Sequence, residues 1–110
     1  MKKALIICAA GFSSSIMAVK ATAWINEHKK EEDEEYMMEA VSVTEGHAMI
    51  RDSDFELFLV SPQTKMFLSK LEESGEKVGK KVIAIPPQAY VPIPTGIQAL
   101  AQLVLKEMPK

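Results

Sequence analysis

The chain has 110 residues, 47% of them hydrophobic and 25% charged, which suits one soluble domain spanning residues 1–110 and leaves no room for two cores. A net charge of −2 provides no excess of Lys and Arg for nucleic acid. A single cysteine rules out an internal disulfide or a multi-cysteine metal cage, and no stretch reaches the ~18 apolar residues of a membrane span.

Met1-Lys2-Lys3 followed by an apolar run to Ala10 has the outline of a leader. The run is short, however, and passes into Gly11-Phe12-Ser13-Ser14-Ser15 without a convincing cleavage site. It reads instead as a first strand over Lys3 to Cys8, of the continuously apolar kind found in parallel sheets. The cytoplasm is the expected compartment, and any membrane step falls to another chain.

A helix follows from about Ser14 to His28. Ile16, Val19, Ala23 and Asn26 recur at helical spacing and form its expected inner face, with Lys20 and Glu27 in water. Lys29 to Glu35 carries no apolar residue and reads as a solvated connection. Tyr36 to Val43 alternates as a second strand, and Thr44 to Asp52 as a brief helix or turn loosened by Gly46. Phe55 to Val60 is a third strand. Pro62 opens the next helix, since its missing N–H is not needed there, and Phe67, Leu68 and Leu71 give that helix an apolar face. Gly75 and Gly79 break the pattern before a fourth strand over Lys81 to Ile85, which Pro86 and Pro87 stop. After a proline-broken loop, a last helix carries Ile97, Leu100, Ala101, Val104 and Leu105 on one side.

Alternating strands and helices predict a four-stranded parallel α/β sheet with helices on both faces. Right-handed crossovers favour the flavodoxin-like order 2-1-3-4, the topology of low-molecular-weight tyrosine phosphatases. In such sheets ligands bind beyond the carboxyl ends of the strands, next to the first one. Cys8 stands there.

The loop Ala9-Ala10-Gly11-Phe12-Ser13-Ser14-Ser15 carries the chemistry. A turn that leaves a strand and opens a helix aims several backbone N–H groups at one spot, and the positive helix end adds to them. Gly11 lets the chain curl close to an anion, and the serines add hydroxyls. The same surroundings favour a thiolate, which makes Cys8 a nucleophile. The plainer reading of a lone cysteine is a buried small hydrophobe, and the glycine-serine loop argues against it. A cysteine-dependent phosphatase of this topology, or an arsenate-reductase-like enzyme, is the alternative. The phosphatases carry an arginine where this chain has Ser14; its only arginine is Arg51, and the proline-rich loop offers no acid. A phosphate cradle lacking both favours a carrier over a hydrolase. A binding module with an inert cysteine is a third reading.

Ile7 to Ser15 resembles the cysteine loop of the enzyme IIB component of the lactose/cellobiose type of the bacterial phosphotransferase system, whose pattern is a strand and then Cys-x-x-Gly-x-Ser-(Ser/Thr)-Ser. Met38-Glu39-Ala40, Asp54 to Gln63 and Tyr90 to Leu100 resemble the family's later segments in order. Ser61 departs from a glycine before Pro-Gln, and Thr95 from an aspartate before Gly96. The resemblance implies a phosphotransferase component that works without metal or cofactor. Cys8 would accept a phosphoryl group from a phosphohistidine of a IIA protein. It would pass that group to a sugar, such as cellobiose or lactose, imported by a IIC membrane component. Residues 9–15 would form the cradle, and Gln63 and Tyr90 are accessory candidates. His28 and His47 are isolated, Trp24 reads as packing, and the seven methionines read as core filling, with an exposed Met17 or Phe12 beside the loop as the docking alternative.

Overall fold

The computed structural model describes residues 1–9 and 12–109, with the side chains of Phe12 and Ser13 left aside. Four parallel strands, β1 (Lys2–Cys8), β2 (Tyr36–Ser42), β3 (Leu57–Val60) and β4 (Lys81–Ala84), lie in the order β2-β1-β3-β4. The helices are α1 (Phe12–His28), α2 (Val43–Arg51), α3 (Leu68–Val78) and α4 (Pro94–Glu107), with 3-10 turns at Pro62–Phe67 and Pro87–Ala89. The predicted topology and strand order are the observed ones.

Alternation along the strands divides the core in two, because successive side chains of a strand point to opposite faces. Ala4 and Ile6 of β1 and Leu57 and Leu59 of β3 pack under α1 and α4, against Met17, Ala21, Ile25, Leu100 and Val104. Leu5, Ile7, Phe58 and Val60 point the other way, onto Ile50 of α2 and Leu71 of α3. Burial on both faces explains why β1 and β3 read as unbroken apolar runs.

Several local expectations need correction. Helix α1 turns a different side inward: Ser14, Met17, Ala18, Ala21 and Ile25 are buried, whereas Ile16 is 48% and Val19 69% exposed, and Ala23 also faces water. Met17 is core, as the core-filling reading of the methionines expects, and the docking alternative does not apply to it. The buried side of α1 includes small Ala18 and Ala21, whose short side chains permit close packing on the sheet. Leu105 of α4 and Phe67 are likewise exposed. Strand β3 begins at Leu57, with Phe55 buried just ahead of it. Gly46 does not loosen α2: a Cβ there would lie 2.7 Å from Ile7 Cδ1, so glycine lets the helix sit directly on β1. Gly75 does not break α3 but lies buried within it, and Gly79 ends the helix with φ 71°, the left-handed cap that glycine adopts without strain.

Gly96 fixes the loop that carries Tyr90. A Cβ at this position would fall 2.1 Å from the Val91 carbonyl oxygen, so α4 docks on the loop only with hydrogen there. Gly96→Ala improves helix propensity by about 1 kcal/mol, yet a backbone clash of this kind reverses the sign. We expect a net loss of about 1–3 kcal/mol in urea unfolding, and a variant as stable as the native chain would show that the loop does not pack on α4.

Candidate functional site

Strand parity places the reactive groups. Cys8 ends β1 and continues the alternation of Ala4 and Ile6, so its side chain points to the α1 and α4 side. Ile7 pairs with Val60, which makes Ser61 the next neighbour across from Cys8, on the same parity as Leu57 and Leu59. From above comes Ser14, in the first turn of α1 and on the helix side that faces the sheet. Ser14 is fully buried, Cys8 is 3% exposed, and the Cys8 sulfur and Ser14 hydroxyl are hydrogen-bonded.

Beneath this pair lies a polar group set into an otherwise apolar layer. Ser61 and Thr64 are both fully buried. The Ser61 backbone N–H donates to the Ile7 carbonyl at 2.9 Å, and the Thr64 hydroxyl shares its one proton between the Ser61 carbonyl at 3.1 Å and the Ile7 carbonyl at 3.3 Å. The two hydroxyls are 2.8 Å apart. The carbonyl immediately before Cys8 is thus held by both groups, which fixes the peptide from which the thiol projects. Buried hydroxyls are costly unless partnered, and here both are partnered.

Tyr90, half-buried in the loop before α4, completes the group. Burial chiefly raises its phenol above the ordinary value near 10. Negative charge at Cys8 raises it further, while hydrogen bonding with Ser14 and Ser61 acts the other way. The phenol is therefore within electrostatic reach of the sulfur and of both serines.

The other predicted residues divide. Ala9 is exposed at the start of the loop, and Ala10 and Gly11 lie outside the described residues. Phe12 and Ser13 begin α1, and the expectation of an exposed Phe12 also falls outside the description. Ser15 is exposed and borders a shallow groove with Glu39 and Ala40. Gln63 is exposed on the 3-10 turn after Ser61, and Thr95 is exposed in the first turn of α4. His47 meets Ser74 Oγ at 3.2 Å, and His28 stacks on Trp24 with ring centroids 3.9 Å apart. Sequence reasoning missed Ser61 and Thr64 as site residues. The signal for Ser61 was a hydroxyl ending a fully apolar strand; Thr64 gave none.

The electrostatic setting is plain. The first turn of α1 contains no acidic residue, so its positive end faces the Cys8 region without local neutralisation. Residues 8–19, 57–71 and 82–105, which supply the site, contain no Asp or Glu, and Lys65 and Lys70 are their only cations. Nearby carboxylates belong to β2 and α2: Glu39 shares a groove with Ser15, and Glu45 accepts from Ser42, the residue paired with Cys8 and the cap of α2.

Two consequences can be measured. Tyr36 also has a raised phenol, chiefly through burial and then through neighbouring acids, so both tyrosines should ionise above pH 10 in an ultraviolet titration. The folded state then holds these protons more tightly than the unfolded one. The stability involved is full below about pH 10 and falls as pH rises through the folded values. Tyr90→Phe should lose less stability than the native chain between pH 9 and pH 11, and an equal loss would place its phenol in ordinary solvent.

The comparisons with known proteins agree with this geometry. A family model described as the lactose/cellobiose-specific IIB subunit of the phosphotransferase system matches residues 3–102. No curated protein matches the chain. Among solved structures, it is similar to the lactose-specific IIB component domain from Streptococcus pneumoniae, with TM-score 0.78 and 16% identity over 96% of this chain and 95% of that one. It is also similar to the cellobiose-specific IIB component protein from Borrelia burgdorferi, with TM-score 0.68 and 20% identity over 96% and 89%. At those identities the likeness establishes the fold, and the match of nearly the whole chain to the family model establishes more. The chain belongs to the lactose/cellobiose-specific IIB family of the phosphotransferase system.

Proposed function

We propose that the chain is a phosphocarrier in which Cys8 takes a phosphoryl group from a phosphohistidine of a IIA protein. It then delivers the group to a β-linked disaccharide, such as cellobiose or lactose, at a IIC membrane component. The observation that carries this reading is the placement of the chain's single cysteine at the carboxyl end of β1, against the acid-free first turn of α1. Such a turn presents backbone N–H groups and a positive helix end to an anion. In this reading residues 9–15 form the cradle, and Gln63 and Tyr90 border it. No helix among the described residues is long and apolar enough to cross a membrane. The cytoplasmic face of the membrane is the proposed workplace.

In the first step the N–P bond of the phosphohistidine breaks and an S–P bond forms. The electron pair of the broken bond returns to the imidazole nitrogen, which ends with the proton that the thiol gave up. In the second step the sugar oxygen attacks phosphorus, the S–P electron pair stays on sulfur, and the hydroxyl proton ends on the restored thiol. A hydrolase at this position would place a full cation on the phosphoryl oxygens and an acid or base near the water. Here Ser14 occupies the arginine position and is buried, and the segments that supply the site hold no carboxylate. Those features support transfer to a partner over attack by water.

Incubation with a phosphorylated IIA protein of the lactose family should add one phosphoryl group by intact mass, and Cys8→Ser should abolish the addition at neutral pH. Uptake by that variant at the native rate would refute the assignment. The native chain should show no turnover of p-nitrophenyl phosphate above background. Turnover lost in Cys8→Ser would favour the phosphatase reading.

A further inference from the structure

We infer that Ser14, although part of the loop sequence, serves the sulfur and not the phosphoryl group: its hydroxyl is a fixed donor that stabilises Cys8 as attacking thiolate and again as leaving thiolate. This inference rests on the phosphocarrier reading and assigns one residue a different task within it.

The helix determines the side chain's direction. Ser14, Met17, Ala18, Ala21 and Ile25 form the buried side of α1, so Ser14 is committed to the sheet side by the same periodicity that buries the others. Ser15, one residue on, is exposed. Neighbouring serines of one motif therefore face opposite surroundings. Ser14 meets Cys8 at the sulfur, both of them buried.

The chemistry then follows from the charge on sulfur. In the thiol, the S–H can donate to the Ser14 oxygen. As the S–P bond forms or breaks, sulfur carries negative charge and the hydroxyl reverses to donate. In the phosphocysteine, sulfur is a neutral bridging atom and a poor acceptor. A donor that is strong toward the thiolate and weak toward the phosphorylated sulfur favours the transition states on both sides. It does so without the cation or acid that would serve water equally well. Hydrogen bonds to charged groups are worth about tenfold or more in an equilibrium.

The test compares the native chain with Ser14→Ala and Ser14→Thr in two assays. Alkylation of Cys8 by iodoacetamide at pH 7 should slow about tenfold in Ser14→Ala and stay within about threefold of native in Ser14→Thr, which keeps the hydroxyl. The three rates should converge at alkaline pH, where every thiol is ionised, a convergence that a mere packing defect would not produce. Return of the phosphoryl group from phosphorylated Cys8 to an unphosphorylated IIA protein should slow by a similar factor in Ser14→Ala alone. Slowed phosphoryl return with unchanged alkylation would place the hydroxyl on the phosphoryl oxygens and overturn the inference. Equal slowing in both variants, or none in either, would overturn it as well. Failure of the native chain to accept a phosphoryl group would instead defeat the carrier reading, and the alkylation ratio would still decide whether Ser14 serves the sulfur.

Discussion

Strand β1 lies between β2 and β3 with helices over both faces, and its seven residues cannot slide without exchanging one face for the other. A shift of one residue would turn Ile7 toward α1 and Cys8 toward α2, since strand side chains alternate with period two. Two apolar layers oppose such a shift, and so does the close seat of α2 on Ile7 that Gly46 permits. The position of the thiol therefore depends on the core and not on the loop after it. The pairing of Ile7 with Val60 extends that control across to Ser61.

Around the thiol the apolar logic gives way to a short polar one. Cys8, Ser14, Ser61 and Thr64 are all buried, and they are joined to one another or to the Ile7 carbonyl. A buried group of hydroxyls stabilises little on balance, because water would have satisfied the same groups. Its contribution is orientation: each lost partner would leave a buried polar atom unsatisfied, so the set adopts few arrangements. The Ser61 hydroxyl meets Thr64 and so ties the end of β3 to the 3-10 turn that follows it.

The sheet was legible because burial on both faces gives runs such as Ala4 to Ile7 and Leu57 to Val60 that few other arrangements produce. The place of Cys8 at the end of β1 was legible because an apolar strand runs up to it and a glycine and three serines follow it. Helix orientation was not. In α1 apolar residues fall on nearly every side, so Ile16 and Val19 looked as suited to the core as Met17 and Ile25. Ala18 and Ala21 permit close packing on the sheet, a property that periodicity does not weigh. Gly46 and Gly75 looked like breaks for a related reason. Sequence shows the missing side chain but not the neighbour, Ile7 in one case and the Lys80 carbonyl in the other, that occupies its place. Ser61 and Thr64 reach the site through the Ile7 carbonyl, more than fifty residues away, and only the hydroxyl that ends the apolar strand hints at this in the sequence.

The distribution of charge gives the arrangement its last physical sense. The acidic run Glu31 to Glu35 leads into the start of β2, and the Glu35 carbonyl accepts from Lys2 at the start of β1. Cys8 stands at the other end of the same strand, about 20 Å away for seven residues at strand rise. That distance is more than twice the ~8 Å over which exposed charges remain unscreened at physiological salt. A phosphoryl dianion on Cys8 would thus sit far from the chain's densest negative charge, among segments that lack carboxylates and near the positive end of α1. Neutral donors in such a field can hold the dianion without neutralising it. Under the proposed carrier reading, such surroundings would give water little activation and leave the group to a partner that brings its own cation and acceptor.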